Sequence, residues 1–352
     1  MHSLLCFLLG VVCAWATKRK NGPDSLGWWR AAAGAAGGMF PQLDNVFSFV
    51  GPGFWLKHQY AETWSVVLLP LYALGLSYAF GYFLGRTRGN DREWQHFFLP
   101  VFAAMAMSVF FGLLTSGGVM AFAPLVDWRL TGDALYDFDL FIFLILMVAV
   151  LGGVALHGFR RDVARVALLI LLGYVAVVAT LKLKATDFAD TYATAMKLDV
   201  IERHTLPQPL SPFHWRLILE TRDNRLHDTL IHLFLTEERV VRDDSTRVWR
   251  IASLYKPREK AVWRIYNRFG RRNPDFVRAA WLSKENSDYR WFSRFAVVQD
   301  LVNHDNATCA RMKDLRFEGA RRGELGQYLI CQMRQGWALY QAQPDGAPVR
   351  LE

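Results

Sequence analysis

Charge is what the first half of this sequence lacks. From Trp64 to Gly85, and again from Phe97 to Phe122, there is no Asp, Glu, Lys, Arg or His. Phe138 to Leu156 carries only Asp139, at its start, and Val163 to Leu183 is nearly as bare. A soluble domain does not leave such runs, and about 20 apolar residues are what a membrane-spanning helix needs. The shortage excludes a wholly soluble protein. It also weighs against a transporter or channel, which would want ionisable residues deep within its spans or a pair of matching broken helices. Cysteine is scarce too. None of the four forms a Cys-x-x-Cys or Cys/His zinc pattern, which excludes zinc-ribbon and thioredoxin-type chemistry. There is no internal repeat and no low-complexity tract. The formal charge of +9 comes without a nucleic-acid recognition motif, so nucleic acid is not an expected partner.

What is present divides at about Leu183. Two shorter apolar segments, His2 to Ala16 and Ala31 to Leu43, precede the four long ones. The second is rich in Ala and Gly and is able to pack closely against its neighbours. The first resembles a signal peptide with a cleavage site at Ala14-Trp15-Ala16. Against that, no Lys or Arg precedes the apolar run, and Lys18-Arg19-Lys20 follows it. Basic residues then recur in every second connection: Lys18, Arg19, Lys20 and Arg30, next Arg86, Arg88 and Arg92, then Arg160, Arg161 and Arg165. About six spans satisfy this pattern, with those loops cytoplasmic and both the N-terminus and the C-terminal half outside. The expected location is a membrane, and the expected partners are the lipid bilayer and anionic headgroups.

The fold class expected is an α-helical polytopic membrane domain followed by a β-rich α+β soluble domain. Its boundaries are 1–184 for the helical domain, 185–206 for a connecting helix and 207–352 for the extramembrane domain. Pro207, Pro209 and Pro212 break the connecting helix. Strands are expected at Trp215–Thr221, Leu226–Leu235, Val248–Tyr255, Tyr289–Gln299, Thr308–Phe317 and Gln327–Arg334. Asp223-Asn224 makes a hairpin turn, and Pro274-Asp275 opens a helix running to Lys284. Trp215, Trp249, Trp263, Trp281 and Trp291 serve as core or membrane-facing anchors. Cys309 and Cys331 pair if this half lies outside the cytoplasm.

On that topology several polar residues share the outer face: His2, Asp44, His58, Glu62, Thr115, Ser116 and the Asp127–Asp139 group. Two imidazoles and a carboxylate suit Zn²⁺ or another divalent ion, and a metal-bound water would attack an ester or phosphoester with Glu62 as base. Each residue also has a plain reading. His2 and His58 are interfacial histidines, the aspartates are solvated loop residues or helix caps, and Gly117-Gly118 is a break.

The order of these pieces resembles the bacterial membrane-bound metal-dependent hydrolase family (YdjM-like). The resemblance is carried by Met1-His2 with Gly10, Pro41-Gln42-Leu43-Asp44, His58 with Thr63-Trp64-Ser65, Thr115-Ser116-Gly117-Gly118, Trp128-Arg129 and Asp137-Phe138-Asp139. Further along it rests on Pro209 to Arg216, Trp291-Phe292-Ser293-Arg294-Phe295 and Asp314-Leu315-Arg316-Phe317. It implies a bacterial inner-membrane location and His2, Asp44 and His58 as metal ligands; on that site Glu62 activates water and Thr115 or Ser116 orients a lipid-linked or amphipathic substrate. It also shows departures. The family's second histidine of the third motif falls on Trp64, its His and Asp of the fourth on Ser108 and Gly112, and its first Asp of Pro-Asp-Leu-Asp on Gln42. Glu62 is an inserted residue. Met1 stands where the family has Thr, so a start upstream is implied. Two readings follow from the resemblance: a membrane-embedded metal-dependent hydrolase, or a catalytically inactive member serving as an envelope partner-binding protein; the helix count puts the C-terminal domain over the same outer face, where it would act as a lid. The oligomeric state is left open.

Overall fold

The computed structural model describes residues 2–18, 27–88, 94–304, 306–318, 327–343 and 347–351, apart from the side chains of residues 47, 52 and 85–88. Of the residues singled out above, Met1, Arg19, Lys20 and Arg92 lie outside the described residues. The chain divides into two compact units. One comprises Met1–Phe47, His58–Lys182 and Pro209–Ser211, and the other Ser48–Lys57, Leu183–Gln208 and Pro212–Glu352.

The first unit is helical. α1 (Ser3–Ala16) starts at His2, whose side chain accepts from the Leu4 amide, and α2 (Gly27–Met39) runs on into a 3-10 stretch, Phe40–Phe49. These two helices touch through glycine. A Cβ at Gly10 would run into the Gly34 carbonyl, one at Gly34 into the Gly10 carbonyl, and one at Gly38 into the Cys6 carbonyl. Small residues thus let two backbones meet where lipid gives no hydrophobic drive. α3 (Pro52–His58) is followed by α4 (Leu69–Arg88), α5 (Gln95–Leu113), α6 (Leu140–Ala155) and α7 (Arg160–Ala195). Asp139 caps α6 by accepting from the Phe141 and Ile142 amides at 2.9 and 3.1 Å, and its other oxygen takes the Tyr174 hydroxyl of α7. Among the described residues two helices are long and apolar enough to cross a membrane, Gln95–Leu113 and His157–Ala195. A third is reached if Gly53–Trp64 and Leu69–Leu84, bent by 79° at their break, count as one.

The second unit is β-rich. Its strands are β1 (Val200–Pro207), β2 (His214–Thr221), β3 (Arg225–His232), β4 (Lys256–Pro257), β5 (Arg264–Asn267), β6 (Ala296–His304), β7 (Ala307–Asp314), β8 (Gln327–Met333), β9 (Gly336–Gln341) and β10 (Val349–Leu351). Its short helices are α8 (Arg247–Ala252), α9 (Pro274–Leu282) and α10 (Ser287–Phe292). One sheet has the order β1-β2-β3-β4, with β5 also on β3, and is antiparallel except for the two-residue β3–β4 pairing. The other is an antiparallel meander, β10-β9-β8-β7-β6. Cys309 and Cys331 face each other across β7 and β8 and form a disulfide.

Three buried clusters lie among the described residues of this unit, one of them around the Cys309–Cys331 disulfide. Leu206, Ile218 and Leu226 of the first sheet meet Phe295, Val297 and Leu315. The largest cluster joins Val277 and Tyr289 to Ile330 and Leu339, and includes Leu56 of α3, with Trp55 packed against it. A short segment from the N-terminal half is therefore part of this core. The two sheets are also tied by Arg216. Its guanidinium grips Asp228 with Nε at 2.6 Å and Nη2 at 2.9 Å, and Nη1 donates to the carbonyls of Leu315 and Glu318.

Several expected elements differ from those observed. The helix expected from Lys184 to Arg203 ends at Ala195; Lys197 turns left-handed (φ 52°), and Val200 onward pairs with β2. Val248–Tyr255, expected as a strand, is helical at its start because the Thr246 side chain caps the Trp249 amide. Tyr289–Gln299 splits between α10 and β6. The span expected to reach Phe122 stops at Leu113, where Thr115 Oγ1 bonds the Gly112 carbonyl and Gly118 takes φ 72°. The strands at Trp215, Leu226, Thr308 and Gln327, the turn at Asn224 and the helix from Pro274 stand where the pattern put them. Trp215 is fully buried, whereas Trp249 is exposed.

Candidate functional site

The sequence motifs of the first unit meet around one carboxylate. Asp44 sits on the 3-10 stretch and is 2% exposed. Its Oδ2 accepts from the Tyr60 amide at 2.6 Å and from the Trp64 indole Nε1 at 3.1 Å. Tyr60 reaches that position in a left-handed conformation, φ 57°, and its carbonyl accepts from the Met120 amide at 2.8 Å. Burial pushes the Asp44 carboxyl up from its ordinary range, while hydrogen bonds from Tyr60, Trp64 and Asn45 pull it back.

The residues around Trp64 clasp neighbouring segments. Thr63 Oγ1 donates to the Pro41 carbonyl at 3.0 Å. Ser65 Oγ donates to the Ala123 carbonyl at 2.5 Å and accepts from the Val67 and Leu68 amides, which caps the start of α4. Trp64 itself is fully buried, and its ring lies against Gly112: a Cβ there would fall inside the 3.0 Å that real Cβ atoms keep. Ser108, one turn earlier on α5, donates to the Gly38 carbonyl at 3.0 Å.

The other candidates have separate engagements. His58 Nδ1 and Glu62 Oε1 are 3.4 Å apart, with side chains 26% and 41% exposed. The His2 amide donates to the Asp137 carbonyl, and its ring stands edge-on to Phe138 with centroids 5.2 Å apart. Thr115 Oγ1 bonds the α5 end, and Ser116 Oγ is buried. Among the described residues, no group of three or more His, Cys, Asp and Glu side chains is arranged to hold a metal ion. Three ligands and an open position are the minimum for catalytic zinc. Of the three implied ligands, Asp44 has one oxygen engaged by an indole and an amide, and His58 faces Glu62.

Sequence reasoning missed Gln59 and Tyr60 as members of this cluster. Gln59 is 4% exposed, its carbonyl takes a bond from Arg129 Nη2 at 3.3 Å, and its Nε2 is buried without a hydrogen-bond partner. The signal was weak. A Gln-Tyr pair after an apolar turn gives no hint of left-handed backbone, whereas the Gly112–Trp64 exchange was visible as a mismatch between motifs.

Helices of membrane-spanning length and composition, followed by a β-rich unit, define a membrane protein that carries a β-rich domain. The family model described as YdjM inner membrane protein matches residues 1–185, and the chain belongs to that family. No curated protein and no solved structure matches the chain.

Proposed function

We propose that this chain is an inner-membrane member of the family that binds a partner in the cell envelope and does not work as a metal-dependent hydrolase. One observation carries the reading: Asp44, Trp64 and Gly112 interlock. Trp64 and Gly112 are the positions at which the resemblance implies a histidine and an aspartate. Here the indole fills the space against Gly112, and its N–H consumes an oxygen of the remaining carboxylate. A buried indole N–H and a buried carboxylate each need a partner, and they satisfy one another.

The topology that goes with this reading has six crossings, with the short α1 and α2 included, and the β-rich unit on the periplasmic side. The Cys309–Cys331 disulfide supports that side, since disulfides persist in oxidising compartments. Binding is supported by a cavity of about 630 Å³ in the β-rich unit, where Lys284, Glu285, Asp288 and Arg350 surround Trp337 and Leu339. Apolar surface ringed by charge of both signs suits recognition of a partner.

The test is metal content of the detergent-purified full chain beside His58→Ala and Asp44→Ala. The expected result is no stoichiometric zinc or manganese in any of the three, even after incubation with zinc. A second reading, hydrolysis of an ester or phosphoester, has one observation in its favour: Asp44 Oδ1 is buried without a hydrogen-bond partner. Near-stoichiometric metal in the wild type, lost in both variants, would overturn the first reading in favour of the second. The binding role is tested by affinity purification from native membranes. Trp337→Ala/Arg350→Glu is expected to release a co-purifying partner that Asp44→Ala retains.

A further inference from the structure

The β-rich unit carries apolar side chains that its own cores leave uncovered. Between Phe234 and Leu254 six large ones, Phe234, Val240, Val241, Val248, Trp249 and Leu254, are 40–73% exposed. The segment that presents them is held by its own hydrogen bonds. The Trp249 indole Nε1 donates to the Val240 carbonyl at 2.8 Å, and the Thr246 hydroxyl caps the Trp249 amide. Arg250 donates to the carbonyls of Ser245 and Asp243 at 3.0 and 2.9 Å. The Arg239 guanidinium reaches the Ala252 carbonyl and lies 6.0 Å from the Trp249 ring centroid. With its one polar atom engaged, the indole has only carbon to offer the outside. Apolar side chains held out in this way mark a face that something covers.

What covers it is indicated by α7. The apolar run of that helix ends at Leu183, and Lys184 stands where the run meets water. The Lys184 ammonium lies 5.4 Å from the Phe234 ring centroid. Phe234 is therefore at the level of the lipid headgroups, where aromatic side chains collect. A run of contacts leads from it to Trp249: Phe234 meets Phe213, Phe213 meets His232, His232 meets His214, and His214 lies beside Arg239 at the indole. Val240 follows Phe234 by six residues, at most about 20 Å of extended chain. Residues 234–254 hold four Arg and four acidic side chains. The charges balance, so contact with lipid rests on burying apolar carbon.

We propose that residues 234–254 form a contact with the membrane surface, in which Phe234, Val240, Val248 and Trp249 enter the leaflet from which α7 emerges. Amphipathic surfaces of this kind sit about 5–10 Å into the boundary between headgroups and acyl chains. The contact gives the β-rich unit a second hold on the bilayer besides α7. It shares no residue with the cavity around Trp337, so it stands or falls apart from the partner role of that cavity.

The test is electron paramagnetic resonance of the full chain in phosphatidylcholine nanodiscs, with a nitroxide on Val248→Cys; the free Cys6 and Cys13 are buried. The label is expected to collide more with oxygen than with a water-soluble nickel chelate, and to keep doing so in high salt. Phe234→Ser/Trp249→Ser is expected to cut the docked-to-free ratio at least about tenfold, and Trp249→Phe to keep it. Nickel collisions that exceed oxygen collisions without the serine substitutions place the face in water and overturn the proposal, whether or not the double variant folds. Release by high salt overturns it too, since the drive would then be charge. Spin–spin broadening that vanishes on dilution with unlabelled chain would put a second copy on the face, and low access for both reagents without broadening would put another protein there. Either outcome overturns the lipid contact.

Discussion

Replacing Arg216 with Met tests whether one buried cation ties the two sheets together. Arg216 and Asp228 have side chains with no exposed surface, and their contact is bidentate. Methionine fills the arm of the arginine but leaves the Asp228 carboxylate in the interior. One partner remains for it, Arg264 at 3.2 Å, which is 44% exposed and screened by water. The Leu315 and Glu318 carbonyls lose their common donor. Breaking a buried pair in this way costs about 3–5 kcal/mol. For a domain of this size each kcal/mol moves the melting point by about 2–4 °C, so a drop of roughly 6–20 °C is expected. Because the chain has two units, a single global melt would mix them. Hydrogen exchange of peptides from β2, β3 and β7, in the full chain in detergent, reads the right one. Arg216→Met/Asp228→Leu is expected to regain part of the loss, since it removes the stranded charge, while the Leu315 carbonyl keeps the Glu318 amide as a donor. Exchange unchanged in β2 and β7, or a single variant within about 1 kcal/mol of the wild type, would refute the clamp.

Leu56→Ala is expected to destabilise the β-rich unit by about 2–5 kcal/mol, read as faster exchange in β8 and β9, although residue 56 lies in the N-terminal half. Reduction or Cys309→Ser/Cys331→Ser should cost about 3 kcal/mol, from the chain entropy of a loop with a separation of 22 residues. Non-reducing peptide mapping of protein from native membranes checks that the bond exists there. Acid should weaken the β-rich unit in two stages. Burial lowers His227 and His232 from their ordinary 6.5, so the unfolded chain takes up protons that the fold refuses; the stability present above 6.5 is lost as pH falls. Asp314 acts lower: burial raises its carboxyl, the Arg316 charge and hydrogen bonds outweigh that, and the net lowering from 3.8 means that stability is lost only below that value. A melting midpoint that does not fall between pH 7.5 and 5 would contradict the histidine part.

The apolar runs located the helices because a bilayer leaves a chain no other way to satisfy its backbone. Helix ends were harder, being set by single contacts. Asp139 was legible as a start because a carboxylate before an apolar run is a cap. The end of α5 was not, since Leu-Thr-Ser-Gly-Gly-Val continues the hydropathy while the helix has already ended at its Leu114 cap and the chain turns left-handed at Gly118. In the β-rich unit, Val248 to Tyr255 has strand composition, and one Thr246 cap turns its first half into a helix. β5 and β10 are three or four residues long, too short to show alternation. At the site, the sequence exposed the substitutions at Trp64 and Gly112 one by one. That they touch, and that the indole then bonds Asp44, depends on long-range packing that no local pattern carries. The landmark residues Arg216 and Asp314 were legible as motifs; their work is structural, Asp314 holding Arg316, Ser293 and the Arg294 amide.

The place of α3 has a consequence for synthesis and insertion. Ser48–Lys57 belongs to the same compact unit as Leu183–Gln208 and Pro212–Glu352. Two stretches that share one dry core lie on one side of a bilayer. On the six-crossing topology proposed above, the chain that leaves that core after Lys57 re-enters it at Leu183 after four crossings, an even number, as a shared core requires. The core cannot close until the ribosome has delivered the last strands. Until then Trp55 and Leu56 wait, without their partners, on the face where the domain will assemble.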